Sequence, residues 1–201
     1  MVSAMNSATF TSKISKPTID TVASRIFATS PQIERGAVYF RLAAAIPLAL
    51  LMYASQDRLP YWEVAVGAIG LMFLVNMWLR SANSQGRISP QRSALFGSLV
   101  DTFLLLVVSF LAIRASAELS TTSEMWLIFP LVILTFVYRS KPAAGIGYAL
   151  LLTAWYSANI LAFFDHADRA VTELPIRATF FVLMGVLAAV LGNSLRQQSS
   201  D

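Results

Sequence analysis

The sequence contains no cysteine and only one histidine, His166. The absence of cysteine excludes disulfides, thiolate metal ligands, iron–sulfur clusters and a cysteine nucleophile. A single histidine excludes, within one copy of the chain, a bis-histidine haem and a multi-histidine zinc site. Asp165 and Asp168 lie beside His166, but three neighbouring side chains in one exposed loop rarely form a metal site unaided. We therefore expect no metal and no cofactor.

Charged residues are also scarce. They make up 13% of the 201 residues, about half the share in a typical soluble domain, whereas 56% are hydrophobic and the mean hydropathy is +0.62. The apolar residues fall in blocks of about 14 to 22, and the longer blocks can cross ~30 Å of hydrocarbon as helices. This pattern predicts an integral membrane protein.

Six apolar blocks predict an all-α fold, a polytopic six-helix transmembrane bundle. Pro60, Pro142 and Pro175 lie at or just before a first helical turn, where the missing N–H is harmless. Pro47 and Pro130 lie inside blocks and are expected to kink their helices. The predicted spans are 37–54, 61–79, 94–113, 125–138, 143–164 and 176–193.

The segment before the first predicted span, residues 1–35, is polar. Ile19, Val22, Ile26 and Phe27 recur at a spacing that forms a narrow apolar stripe on a short helix lying along the membrane surface. A mostly disordered tail is the alternative. Residues 36–195 are then the transmembrane domain, and residues 196–201 begin a cytoplasmic linker helix.

The distribution of Lys and Arg predicts the orientation of the bundle. With six spans, eleven of the fifteen Lys and Arg residues lie on the side of the two termini, and an odd number of spans would destroy this asymmetry. The positive-inside rule therefore places both termini in the cytoplasm. Because the basic residues lie between apolar blocks and form no continuous stripe, we expect the bilayer, and no nucleic acid, as a partner.

Asp101 is the one carboxylate inside a predicted span, about two turns from the cytoplasmic end of the third. A carboxylate at that depth is costly unless it is protonated, paired or hydrated, so it marks a functional site. Arg41 lies at a similar depth in the first span and is its natural partner. Together they predict an intramembrane switch that responds to protons or a ligand, with a structural ion pair as the alternative.

Polar and aromatic residues on the fifth predicted span indicate a candidate ligand pocket in the outer half of the bundle. Packing and hydrogen bonds between helices are the alternative explanation for the same residues. The residues of this candidate pocket are Thr153, Trp155, Tyr156, Ser157 and Asn159.

Small residues recur at spacings that let membrane helices approach closely. On the sixth predicted span, Gly185 and Ala189 overlap with a second pair, Ala188 and Gly192. These four residues predict a helix-packing face within the chain, or else a dimer face through which two copies pair near the cytoplasmic side.

Motifs of catalysis are missing from the sequence. It contains no phosphate-binding glycine loop, no HExxH and no GxSxG, and no Ser-His-Asp set can be assembled beyond His166. We therefore expect no enzymatic activity from these 201 residues.

The stretch 98–164, reading SLVDTFLLLVVSFLAI and, after a polar loop, EMWLIFPLVILTFVYRSKPAAGIGYALLLTAWYSANIL, carries a resemblance to a known family. It is similar to the six-span input domains at the amino end of bacterial sensor histidine kinases and diguanylate cyclases. In that family an Asp opens the third span, an aromatic residue and a Pro mark the fourth, and a basic turn leads into a small-residue-rich fifth. Asp101, Trp126, Pro130 and the segment 139–147 occupy these places.

The resemblance implies a sensor and anchor domain in a bacterial cytoplasmic membrane that forms homodimers and signals inward through its last helix. Any kinase or cyclase would lie in a module outside these residues. Two alternatives stay open. One is a non-catalytic accessory or scaffold subunit of a larger, energy-transducing membrane complex that contacts other membrane subunits, and the other is a small carrier.

Overall fold

A computed structural model describes residues 19–54, 62–118, 124–166 and 168–198. Within these ranges the chain is all-helical and forms no β-strand; an isolated bridge pairs Phe27 with Ser140. The elements are α1 (Ile19–Ile26), α2 (Pro31–Ala54), α3 (Trp62–Ser84), α4 (Pro90–Glu118), a 3-10 turn (Glu124–Leu127), α5 (Ile128–Arg139), α6 (Pro142–Phe163), α7 (Arg169–Thr172) and α8 (Leu174–Gln198).

Proline starts several of these helices, since its fixed φ suits the first turn and no hydrogen bond is lost there. Pro31, Pro90 and Pro142 are the first residues of α2, α4 and α6. Pro47 lies inside α2 as predicted. The predicted kink at Pro130 is wrong, because the 3-10 turn precedes α5 and Pro130 therefore falls in the first turn of α5.

Four helices, α3, α4, α6 and α8, are long and apolar enough to cross a membrane, which indicates an integral membrane protein. α5 is equally apolar but has only 12 residues. Large apolar side chains project outward from the long helices, as on α8, where Leu183, Leu187 and Leu191 are all more than half exposed. Such faces suit a lipid environment.

The short helix α5 occupies the centre of the bundle. It packs against α2, α4, α6 and α8, and its Phe129, Ile133 and Val137 are completely buried. The surrounding helices run up and down: Tyr39 near the start of α2 accepts a hydrogen bond from Arg80 near the end of α3. α2 and α3 are therefore antiparallel neighbours.

The predicted short helix near the amino end is present as α1, and residues 1–18 of the predicted polar segment lie outside the described residues. The residues of the predicted stripe do not share one environment. Phe27, just after α1, is buried and contacts Phe136 edge to face, and Ala23 is fully buried, whereas Ile19 and Val22 are exposed. α1 packs on α4, so part of its apolar surface is covered by the bundle itself.

Candidate functional site: a buried ionic network

Four charged side chains are buried at one end of the bundle. Arg41 and Glu34 come from α2, Asp101 from α4 and Arg139 from α5, and each is at most 4% exposed. Three polar side chains complete what we call the ionic network. It consists of Glu34, Arg41, Asn76, Ser93, Ser98, Asp101 and Arg139. We call this end of the bundle the network end and the opposite end the distal end.

One half of the ionic network joins α2, α3 and α4. Arg41 Nη2 forms an ion pair with Asp101 Oδ2. Arg41 Nη1 donates a hydrogen bond of 2.7 Å to Asn76 Oδ1, and the Asn76 amide in turn donates to the carbonyl of Met72. The structure thus brings together the two residues that the sequence singled out, and adds Asn76 as a third partner.

The other half joins α2, α4 and α5. Arg139 Nη1 lies 3.2 Å from Glu34 Oε1, and Arg139 Nη2 donates a 2.7 Å hydrogen bond to Ser98 Oγ. Ser93 Oγ donates to the same carboxylate at 3.1 Å. Arg139 also donates through Nε to the carbonyl of Thr135, one turn earlier in its own helix. Arg139 therefore holds three helices together at one point.

The face of α4 toward these charges carries small and polar residues, because such residues recur every fourth position in this part of the sequence. Ser93, Gly97 and Asp101 are four residues apart and share one face of the helix. A Cβ atom on Gly97 would lie 2.8 Å from Arg41 Nη1, closer than side chains normally approach. Glycine at this position therefore makes room for the buried guanidinium.

The ionic network is electrically neutral overall, but some of its hydrogen-bonding atoms have no partner. Two guanidinium groups face two carboxylates, and the balance of charge is what makes burial tolerable, since an unpaired buried charge is strongly destabilising. Three atoms nevertheless have no hydrogen-bond partner among the described residues: Asp101 Oδ1, Arg41 Nε and Arg41 Nη2, of which Nη2 is paired with Asp101 by charge. Buried polar atoms without a partner are rare in folded proteins, which marks this cluster as unusual.

The backbone beside the ionic network is latched to the segment after α1. The Ala28 N–H donates to the Arg139 carbonyl at 3.0 Å, and the Lys141 N–H donates to the Ile26 carbonyl at 2.8 Å. A surface ion pair between Asp20 and Arg92 joins α1 to the first turn of α4. The hydrogen bonds from Arg92 hold the pKa of Asp20 below its ordinary value. The two peptide bonds that flank Ser140, the residue after Arg139, are therefore tied to the amino-terminal segment.

A second cluster of charged and aromatic residues lies at the distal end. Arg177 of α8 donates 2.8 Å from Nη1 to the Tyr156 hydroxyl and 2.6 Å from Nη2 to Glu173, and its guanidinium lies 5.4 Å from the centre of the Trp126 ring. Hydrogen bonds from Arg169 and Arg177 lower the pKa of Glu173. We call Trp126, Tyr156, Glu173 and Arg177 the distal cluster.

The candidate pocket residues on α6 do not all face one cavity. Tyr156 lies in the distal cluster and lines a cavity of about 10 Å³, room for the centre of a single water molecule. Thr153 and Asn159 donate hydrogen bonds back to carbonyls of their own helix, and Trp155 stacks on Phe129. Ser157 is half-buried and does not line this cavity.

The small residues of α8 are packed within the chain. A Cβ on Gly185 would lie 2.5 Å from Ala149 Cβ of α6, so the two helices are in contact at this glycine. Ala188, Ala189 and Gly192 are buried too. A dimer through these four residues would have to displace α5 or α6, whereas the exposed side of α8 carries large apolar residues.

Glu34, Arg139 and Arg177 are site residues that the sequence analysis did not single out. Glu34 was assigned to the polar segment 1–35, although its spacing of seven from Arg41 places both on one face of a helix. Arg139 was counted only as part of a basic turn. Within the described ranges, no group of three or more His, Asp and Glu residues is placed to hold a metal ion.

Comparison with protein-family models, with curated proteins and with solved structures finds no match to this chain.

Proposed function

We propose that the chain is a membrane-embedded sensor and anchor domain that passes a signal to cytoplasmic partners through its last helix and performs no catalysis. The ionic network is the element that changes state, and α5 transmits the change to α8. The observation that carries the proposal is the position of Arg139: it lies in the ionic network and ends the helix that packs along α8.

The proposal includes six membrane crossings: the four long apolar helices and, in addition, α2 and α5, which would be the first and fourth crossings in chain order. α2 has 24 residues, about 36 Å at 1.5 Å per residue, and runs antiparallel to α3. α5 and its preceding 3-10 turn together extend about 26 Å. Because α5 is surrounded by four other helices, it need not match the thickness of the lipid.

Transmission from the ionic network to α8 has a continuous physical route through α5. Arg139 is the last residue of α5, and Phe129 near its start stacks on Phe181 of α8 with ring centres 5.3 Å apart. α5 and α8 are in contact between these two points. A shift of α5 by the 1–2 Å typical of helix movements in switches would therefore displace α8.

Distances between the two helix ends test this proposal. The chain has no cysteine, so spin labels can be placed at Ser84→Cys and Ser194→Cys, two exposed sites at the ends of α3 and α8. In lipid nanodiscs we expect Asp101→Asn to shift the distance distribution to a second discrete peak, and a reporter fused after Asp201 to change its output. Asp165→Asn, at an exposed carboxylate, is the matched control.

A structural ion pair gives a different result. In that case Asp101→Asn lowers the unfolding temperature but leaves the distances in the folded protein unchanged, and the sensor proposal fails. Purification of the protein with fixed partner subunits, together with a silent reporter, would favour the alternative of an accessory subunit.

A further inference from the structure

We propose that a cavity above Asp101 binds a small neutral molecule with one hydroxyl donor on an apolar body, such as a medium-chain alcohol. The inference rests on the proposed function in one respect, since the molecule would be the stimulus of the sensor. The binding itself is argued from the cavity alone.

The cavity lies between α3, α4 and α5 and has a volume of about 50 Å³. Its α4 wall runs from Asp101 through Leu105 to Ser109, about 12 Å along the helix axis. Ala68 and Met72 of α3 face this wall, with Leu131 of α5 on the other side. It shares one lining residue, Ser109, with the small cavity beside Tyr156 at the distal end.

The polarity of the cavity is concentrated at Asp101. Ser109 is the one other residue of the lining with a polar side chain, and its hydroxyl donates to the carbonyl of Leu105. Asp101 Oδ2 is paired with Arg41, whereas Asp101 Oδ1 is buried with no hydrogen-bond partner among the described residues. Asp101 therefore brings to this lining a carboxylate with one oxygen that has no hydrogen-bond partner, beside an apolar wall.

The choice of ligand follows from this arrangement. A second cation is disfavoured because Arg41 already neutralises Asp101. A buried water needs two to four polar partners, but the two polar residues of this lining, Asp101 and Ser109, lie about 12 Å apart along α4 and cannot both bind the same water. A hydroxyl group can donate to Asp101 Oδ1 while its apolar body lies along α4. The enclosed volume is smaller than the ~150 Å³ that holds a benzene ring, so part of the body extends toward the lipid.

Photolabelling of the purified protein in nanodiscs tests the inference. The probe is octanol with a diazirine on its chain, and labelled peptides are mapped by mass spectrometry. We expect labels on the α3 and α4 residues of the cavity, displaced by 1-octanol. Heptyl methyl ether, an isomer with an oxygen but no donor, should compete about tenfold less well at equal mole fraction in the lipid, because it cannot donate to Asp101.

Two substitutions locate the site. Ala68→Phe fills the cavity while leaving every residue of the ionic network in place and should reduce labelling at least several-fold, whereas Ala154→Phe, on an exposed face of α6, should not. Asp101→Leu should remove the preference for octanol over the ether. If that variant does not fold, Ala68→Phe still decides the question.

The outcomes show where the ligand comes from, and they distinguish failure of this inference from failure of the sensor proposal. A hydroxyl compound that co-purifies and is displaced by octanol identifies a membrane-resident molecule, and an empty site that fills with added octanol identifies one that partitions from outside. The inference is overturned if the ether competes with photolabelling as well as 1-octanol does, or if Ala68→Phe leaves the labelling unchanged. Specific binding without any change in the reporter leaves the inference standing and counts against the sensor proposal.

Discussion

At the scale of single residues, Gly97 shows how closely α4 approaches the buried charge of Arg41. A Cβ atom there would lie 2.8 Å from Arg41 Nη1. We expect Gly97→Ala to lower the free energy of unfolding by about 1–3 kcal/mol, as overpacking does elsewhere. Thermal unfolding in detergent measures the effect.

Gly67 provides the matched control, because a Cβ there meets no heavy atom within 4 Å. Gly67→Ala should be neutral or stabilising, by up to about 1 kcal/mol from helix propensity. If the two alanine variants are equally stable, the close packing of α4 against Arg41 is wrong.

Glu34 and Arg139 form the second buried ion pair, and removal of one partner leaves the other uncompensated. Glu34→Gln should destabilise the protein by about 3–5 kcal/mol, and the double variant with Arg139→Gln should recover part of the loss. Chemical unfolding of the four forms gives the coupling energy. Asp20→Asn, which removes an exposed pair, should change stability little. Additive effects of the two buried substitutions would contradict the pairing.

The lowered pKa of Glu173 predicts how the free energy of unfolding depends on pH. Hydrogen bonds from Arg169 and Arg177 lower its pKa below the ordinary value of 4.5. A group with a lowered pKa in the folded state stabilises the fold above its unfolded pKa, and the contribution is lost as the pH falls through the folded pKa. Stability should therefore decline below about pH 4.5, and Glu173→Gln should reduce this decline. Asp165→Asn serves as the control, and an unchanged pH profile in Glu173→Gln would refute the assignment.

At the scale of elements, sequence periodicity locates helices better than it assigns their faces. The apolar blocks predicted a helix at each of six places where α2, α3, α4, α5, α6 and α8 are found. The start of α2 was missed, since Pro31 begins the helix six residues before the predicted span and brings Glu34 into the bundle. Polar residues at a helix end resemble a tail in sequence, and only packing shows that they are buried.

The same limit explains which parts of the site could be predicted. Asp101 stands out because a carboxylate within an apolar block is rare, and Arg41 follows from its similar depth. Asn76 and Arg139 carry no such signal. Their roles depend on the rotation of α3 and α5 about their axes, which is set by contacts between residues distant in sequence.

The contact of α6 with α8 yields a prediction about oligomeric state. Gly185 lies against Ala149 of the same chain, so Gly185→Leu should destabilise the bundle without changing the number of copies per particle. Gly147→Leu, where added atoms meet open space, is the control. Unfolding temperature and light scattering in detergent measure the two properties. A dimer that dissociates on Gly185→Leu while the subunit stays folded would favour the dimer face instead.

At the scale of the whole molecule, the placement of α2 and α5 decides the topology. Six crossings put the turn around Gly86 on the same side as both termini. Four crossings, by α3, α4, α6 and α8 alone, put that turn on the opposite side while leaving the termini together. Labels at the two ends therefore cannot distinguish the two topologies, but a label in this turn can.

Arg87→Cys, at an exposed position in that turn, makes the decisive measurement possible because the chain has no other cysteine. We expect an impermeant maleimide to label Arg87→Cys and Ser24→Cys in inverted vesicles, and to label Asp165→Cys only in right-side-out vesicles. The physical reason is that the Tyr39–Arg80 hydrogen bond joins the first half of α2 to the end of α3. If α2 crosses the bilayer, the turn after α3 therefore lies on the same side as the amino-terminal segment. Labelling of Arg87→Cys together with Asp165→Cys would reduce the crossings to four and place the ionic network at the wrong depth for a switch.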